Sequence, residues 1–265
     1  MQNNEILENQ AQQNRLEQNK TQRVALVTGG MGGIGTAICQ RLYQSGFKVV
    51  VGCGPGSLRR KQWIEEQKAA GYAFLVSEGN VANWDSTHDA IAKIQAEIGI
   101  VEVLVNNAGI TRDCTFRKMS TADWHAVLDT NLFSLFNVTK QVVEGMIEKK
   151  WGRIINISSV NGQKGQFGQT NYASAKAGIH GFTKALALEV AKYGVTVNTV
   201  SPGYIETKMT HTMRADILSN IISSIPMQRL GQPNEIASIV AWLASEDAAF
   251  ATGANFSING GLHMA

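Results

Sequence analysis

Val24-Ala25-Leu26-Val27-Thr28-Gly29-Gly30-Met31-Gly32-Gly33-Ile34-Gly35 decides how the rest of the chain is read. Four apolar residues in a row suit a strand buried on both faces. The next segment, Thr36-Ala37-Ile38-Cys39-Gln40-Arg41-Leu42, has helical spacing. Between them stand five glycines in seven residues. Strand, glycine turn and helix start form the setting of a dinucleotide phosphate loop. Glycine lets the backbone approach a phosphate, and the helix N-terminus presents free N–H groups and a partial positive charge. A βα turn without a ligand is the plain alternative, and so much glycine at this junction argues against it.

Working outward, strands and helices alternate. Lys48-Val49-Val50-Val51 reads as a second strand, and residues 58–70 as a polar helix ended by Gly71. Residues 73–76 read as the third strand, 84–98 as a helix ended by Gly99, and Val103-Leu104-Val105 as the fourth strand. One long helix is expected through Trp124, Val127, Leu128, Leu135, Val138, Val142 and Met146. Residues 153–157 form the fifth strand, a helix runs from Tyr172 to about Tyr193, and residues 195–200 form the sixth strand. A helix over 234–244 and a strand over 255–258 end the chain. This order predicts an α/β protein: a single-domain Rossmann fold over residues 21–265, with a doubly wound parallel sheet of about seven strands. Residues 1–20 are crowded with Asn, Gln and Glu and read as a polar, disordered or weakly helical tail, without the features of a signal peptide.

Tyr172 and Lys176 stand four apart, so a helix turns both to one face. Ser159 lies thirteen residues before the tyrosine. A cation beside a phenol favours the ionised form, so the tyrosine is expected to have a lowered pKa and to exchange protons near neutral pH. A nearby serine hydroxyl suits holding a carbonyl oxygen. Alone, a Tyr-x-x-x-Lys pair is common on surface helices; the glycine loop upstream gives it weight.

These motifs resemble the short-chain dehydrogenase/reductase family. Thr28, Gly29, Gly33 and Gly35 match its T-G-x-x-x-G-x-G pattern, and Asn106-Asn107-Ala108-Gly109 its N-N-A-G motif. Asn131, Ser159, Tyr172 and Lys176 match its catalytic tetrad, and Pro202-Gly203 its motif after the sixth strand. The resemblance implies hydride transfer between a nicotinamide and a ketone carbon. Tyr172 would move the proton, Lys176 would tune it and hold the nicotinamide ribose, Ser159 would hold the substrate oxygen, and Asn131 would place a water beside Lys176. Read from its residue alone, Asn131 equally suits a bend or cap in a helix. The expected cofactor contacts are Thr28, Gly29, Gly32, Gly33, Ile34, Gly35, Gly54, Arg59, Gly79, Asn80, Val81, Asn107, Ala108, Gly109, Ile110, Tyr172, Lys176, Pro202, Gly203 and Ile205. Asn80-Val81 stands where the family has Asp-Val.

An acid after the second strand would select NAD; here Gly52-Cys53-Gly54-Pro55-Gly56 carries none, and Arg59 and Arg60 follow. NADPH is therefore expected, with Arg59 favoured on the 2′-phosphate. The run 161–172, Gly109-Ile110-Thr111-Arg112-Asp113, Phe116-Arg117-Lys118-Met119 and the ending Asn259 to Met264 resemble the acetoacetyl-CoA reductases, a bacterial branch of the family. That branch supplies (R)-3-hydroxybutyryl-CoA for polyhydroxybutyrate synthesis, and the family's carrier-protein thioester reductases are the nearest rival. An acyl-CoA thioester substrate follows, with Asp113, Ser159, Gln166, Phe167, Gln169, Tyr172, Tyr204 and Arg214 as its contacts and Lys208 as a second lid cation. The small-residue ridge Ala173, Ala177 and Gly181 fits close approach of either the sheet or a second subunit, and the family implies a homotetramer.

Composition excludes several classes. A net charge of +3 does not call for nucleic acid, and no segment has the length and apolarity of a membrane span. Cys39, Cys53 and Cys114 have no paired spacing, which fits a reducing, cytoplasmic setting. The five histidines lack ligand spacing, so no metal is expected.

Overall fold

A computed structural model describes residues 22–207, 210 and 212–264. The tail expectation and Lys208 lie outside the described residues. Seven strands form one sheet in the order β3-β2-β1-β4-β5-β6-β7, and every pairing is parallel. The strands are β1 (Val24–Val27), β2 (Lys48–Cys53), β3 (Leu75–Glu78), β4 (Val101–Asn106), β5 (Gly152–Ile157), β6 (Val195–Pro202) and β7 (Asn255–Ile258). The helices between them are α1 (Gly33–Gln44), α2 (Arg60–Ala69), α3 (Trp84–Glu97), α4 (Thr121–Leu128), α5 (Ser134–Glu148), α6 (Asn161–Lys164), α7 (Thr170–Val190), α8 (Ala215–Ser224) and α9 (Pro233–Leu243).

Alternation along the strands builds two cores. On β1, Ala25 and Val27 face α1 and α9, with Ile38, Leu42, Ile236 and Val240. Val24 and Leu26 face the other layer, with Ile91, Val138, Val142 and Ala187. Burial on both faces explains the uninterrupted apolar runs. After β1 the chain builds leftwards to β3, then returns to the other side of β1 to make β4. The loops leaving β1 and β4 therefore diverge, and a crevice opens over the carboxyl ends of these strands.

Three expectations change. The third strand starts at Leu75, two residues beyond the expected Ala73. Tyr72 and Trp63 both stack on Phe74, which draws the chain before Leu75 into an aromatic cluster and out of the ladder. The single long helix is broken into α4 and α5 by a π-helical turn at Asp129–Phe133. Helices α6 and α8 were not anticipated; α6 is a single turn, and α8 has no buried residue to mark a core-facing stripe.

A chain of buried polar groups ties the sheet to α7. Asn106 Nδ2 donates to Asn156 Oδ1 at 2.9 Å, Asn156 Nδ2 to Thr183 Oγ1 at 2.9 Å, and Thr199 Oγ1 to Thr183 Oγ1 at 2.8 Å. It joins β4, β5 and β6 to the helix that carries Tyr172 and Lys176. Asn156 is fully buried and bonded at both ends of its amide. Asn156→Leu leaves Asn106 and Thr183 each one hydrogen bond short, with Thr139 and Thr199 as their remaining partners, and should cost about 2–3 kcal/mol by denaturant unfolding. Thr199→Val, which removes only the terminal donor, should cost clearly less; equal losses would mean that packing, not the polar chain, dominates.

Candidate functional site

The two diverging loops are clamped to each other. Thr28 Oγ1 accepts from the N–H groups of Asn107 and Ala108, each at 3.0 Å. Asn107 Nδ2 donates back to Thr28 O at 3.0 Å and Gly29 O at 3.1 Å. Side chains do not fit beside this clamp. A Cβ on Gly29 would stand 2.9 Å from Ala108 Cα, in a backbone already at φ 62. A Cβ on Gly35 would stand 2.4 Å from Gly29 O and 2.9 Å from Asn107 Nδ2. Thr28 and Asn107 thus hold the crevice open through their own bonds.

The crevice has two connected parts. A cleft of about 360 Å³ lies on the β2 and β3 side, lined by Gly54, Gly79, Asn80, Val81 and Ile91 among others. A cleft of about 670 Å³ runs from Gly32, Gly33, Ile34 and Gly35 to Ser159, Tyr172 and Lys176, with Pro202, Gly203 and Ile205 on its wall. Both share Gly29, Ala108, Gly109 and Ile110. No side chain caps α1 and no acid sits in its first turn, so its N–H groups serve the cleft. A phosphate-bearing dinucleotide fits this set: an apolar end, a helix N-terminus in the middle, and a polar end.

At the β2 turn the two arginines part ways. Arg60 forms an ion pair with Glu78 at the end of β3. Arg59 has no carboxylate partner among the described residues, is exposed, and lines the larger cleft. Asn80 Oδ1 accepts from Ala82 N–H at 3.1 Å, which fixes its loop.

At the polar end, the last residue of β5 and the one after it each grip Lys176. Lys176 Nζ donates to Ile157 O at 2.7 Å, and Ser158 Oγ donates to Lys176 O at 2.8 Å. Gly162 allows this closeness, since its Cβ would stand 2.7 Å from Lys176 C. Nζ lies 5.6 Å from the centre of the Tyr172 ring, at its face. Burial lowers Lys176 to about 8. The expected lowering of Tyr172 is not what the geometry gives. Burial raises its pKa, a hydrogen bond from Ser159 opposes this, and the Asp113 carboxylate adds to the rise. The ammonium is directed to a carbonyl and the ring face, so desolvation of the phenol prevails.

Asn131 sits in the π turn, fully buried. Its Oδ1 accepts from Ile110 N and its Nδ2 donates to Ile110 O, both at 2.8 Å. The helix-bending reading therefore describes its setting. It also approaches the lysine: a Cβ on Gly109 would stand 3.1 Å from Asn131 Oδ1 and 3.7 Å from Lys176 Nζ.

The expected substrate contacts separate. Asp113, Ser159, Gln169, Tyr172 and Tyr204 line the larger cleft. Gln169 donates to Asp113 Oδ2 at 2.8 Å and accepts from Asn161 Nδ2 at 3.0 Å. Phe167 does not join them: its ring is 87% exposed because the turn at Gly165 and Gly168 carries it outwards. Gln166 faces a different groove beside α8. Arg214 lines neither part of this crevice; it binds Asp216 through two bonds, at 3.1 and 2.7 Å. Asn161 and Asn171 were missed. Asn171 is fully buried, and its Nδ2 donates to Arg112 O at 3.1 Å, holding the loop after β4 against α7. Their position within an already suggestive motif was the only signal.

Comparison with known proteins agrees with this geometry. The family model described as short chain dehydrogenase matches residues 23–218. The chain is 69% identical to an acetoacetyl-CoA reductase of Cupriavidus necator, over 92% of this chain and 99% of that one. It is 54% identical to an acetoacetyl-CoA reductase of Allochromatium vinosum, over 91% and 99%. It is 45% identical to a 3-oxoacyl-acyl-carrier-protein reductase of Vibrio cholerae, over 91% and 98%. With strand order, paired clefts and a matched sequence in accord, this chain belongs to the short chain dehydrogenase family.

Proposed function

We propose that this protein reduces acetoacetyl-CoA to (R)-3-hydroxybutyryl-CoA with NADPH. The observation that carries the reading is that Ser159, Tyr172 and Lys176 line one end of a cleft that begins at the N-terminus of α1, with the serine hydroxyl bonded to the phenol. The reduced nicotinamide supplies the hydride when bound. Ser159 holds the ketone oxygen, and Tyr172 gives that oxygen its proton. The raised pKa of Tyr172 keeps it protonated, which is the form a reductase needs at the start of a turnover. Lys176 lies against the ring on which negative charge then appears. In the same reading Asn131, which braces Ile110 beside Gly109, places a water near Lys176.

The higher identity to an acetoacetyl-CoA reductase than to a carrier-protein reductase favours the CoA thioester. Arg59, unpaired and facing the cleft, supports the 2′-phosphate of NADPH, while Arg60 is held by Glu78. A homotetramer in the cytoplasm, supplying polymer synthesis, is part of the same reading. Its support is the outward face of α7: Ala177 and Gly181 are exposed, and a Cβ on Gly181 would meet nothing within 4 Å, so this ridge faces away from the sheet. No helix among the described residues is long and apolar enough to cross a membrane.

The purified protein should oxidise NADPH when acetoacetyl-CoA is added, and Tyr172→Phe should lower kcat by about 10²–10⁴-fold while NADPH still binds. Near-normal turnover in that variant removes the proton-transfer role; a strong preference for the acetoacetyl carrier protein shifts the substrate.

Arg59→Ala should raise KM for NADPH by about tenfold or more and leave KM for NADH little changed, the scale of a lost charge-assisted contact. Arg60→Ala should change their ratio much less. Equal effects of the two substitutions would reject the assignment.

Lys176 also sets a stability signature. The unfolded chain keeps this proton to about pH 10.5 and the folded one only to about pH 8. Unfolding therefore takes up a proton between these values, and this group's contribution to stability rises with pH across the window. Below pH 8 its burial cost is full. The stability advantage of Lys176→Met over the parent should shrink by on the order of 3 kcal/mol from pH 8 to 10.5. A difference that stays flat with pH would mean that the folded lysine is not depressed.

A further inference from the structure

The cleft does not end at Tyr204. A groove of about 280 Å³ begins on the other side of its ring, between the end of α6 and one face of α8. Its walls mix Lys164, Gln166 and Asn220 with Ile217, Ile221 and Leu262. Ile217, Asn220 and Ile221 follow helical spacing, so α8 presents one amphipathic stripe to the groove. None of α8 is buried, and Ile217 is 45% exposed, so this stripe is not core packing.

Two further observations point to what the groove takes. Asn161 lines the larger cleft with Tyr204, and it is 8% exposed. Its amide donates to Gln169 and also reaches the Tyr204 hydroxyl, while its buried Oδ1 accepts no bond among the described residues. A buried acceptor of this kind favours a ligand that brings an N–H or O–H donor. At the far side, Lys164 Nζ touches only neutral oxygens, Gln166 Oε1 at 3.0 Å and Gly165 O at 3.3 Å. It has no carboxylate partner among the described residues, whereas Arg214 is held by Asp216.

An acetoacetyl group is small, and the remainder of its CoA thioester must leave the reaction centre. That remainder is a flexible chain with two amides, followed by phosphates. We propose that the pantetheine chain turns past Asn161 and Tyr204 into the groove between α6 and α8, giving its first amide N–H to Asn161 Oδ1 and its phosphates to Lys164. Apolar α8 residues cover its methylenes and Asn220 meets its second amide. This inference deepens the thioester-reductase reading and rests on it.

Three substrates of decreasing length separate the parts: acetoacetyl-CoA, acetoacetyl-pantetheine and acetoacetyl-N-acetylcysteamine. Only the first carries phosphates, and only the first two reach the groove. Lys164→Glu turns an attraction into a repulsion. It should lower kcat/KM for the CoA ester relative to the pantetheine ester by about fivefold or more, through KM, with the gap closing at high salt. Ile221→Trp fills the groove. It should lower kcat/KM for both longer esters relative to the N-acetylcysteamine ester by a similar factor. Ratios within about twofold of the parent for both variants would overturn the proposal. A loss for the acetoacetyl carrier protein without one for acetoacetyl-CoA would overturn the assignment of Lys164 to CoA. Failure of the parent enzyme on all three esters would instead reject the thioester-reductase reading itself.

Discussion

The reciprocal clamp between Thr28 and Asn107 is the constraint on which the rest depends. Parallel strands that build outwards in both directions from β1 leave two loops with no common neighbour. Here four hydrogen bonds at 3.0–3.1 Å lock those loops together. The clamp draws Gly29 and Gly35 so close to the β4 loop that no side chain fits at either position. It also sets the separation of the two clefts, which meet at Gly29 and Ala108. The glycine pattern thus answers two demands, approach to a phosphate and approach to a neighbouring strand end.

At the other end of the cleft, desolvation rather than ion pairing governs protonation. Burial pulls Lys176 down and pushes Tyr172 up, so each moves towards its neutral form. The carbonyl of Ile157 holds the lysine head, with no counter-ion among the described residues. The phenol therefore keeps its proton, while the lysine stands closer to giving up its own. The same burial links the chemistry to the fold, because the polar chain from Asn106 to Thr199 seats the helix that carries both groups.

The sheet was legible because its strands are apolar on both faces and its turns carry Gly. The four motif residues Asn131, Ser159, Tyr172 and Lys176 were legible because they fall at fixed places on those elements. What escaped had no periodic signal. Tyr72 and Trp63 took Phe74 into a stack, and the third strand moved with it. The π turn has the same apolar spacing as a continuous helix, so periodicity did not reveal the break at Asp129. Phe167 looked like a pocket ring by composition, yet two glycines with positive φ turn it to solvent. Arg214 looked available until Asp216, two residues on, claimed it. A cation's neighbours in space are invisible to spacing, and so are its commitments.

The π turn at Asp129–Phe133 carries one consequence for how this chain tolerates change in length. A π turn holds one more residue than an α turn over the same span. Excising a single residue there would let α4 and α5 merge into one regular rod. The faces of α4 and α5 would keep their phase, because the wide turn already absorbs the extra residue. Asn131 would lose the widened turn that seats its amide on Ile110, and the wall of the crevice would lose its brace without any loss of helix. An irregularity that looks like a flaw in the helix is therefore a seat for one side chain, and a deletion at this point would be felt at the crevice wall before it was felt in the helix.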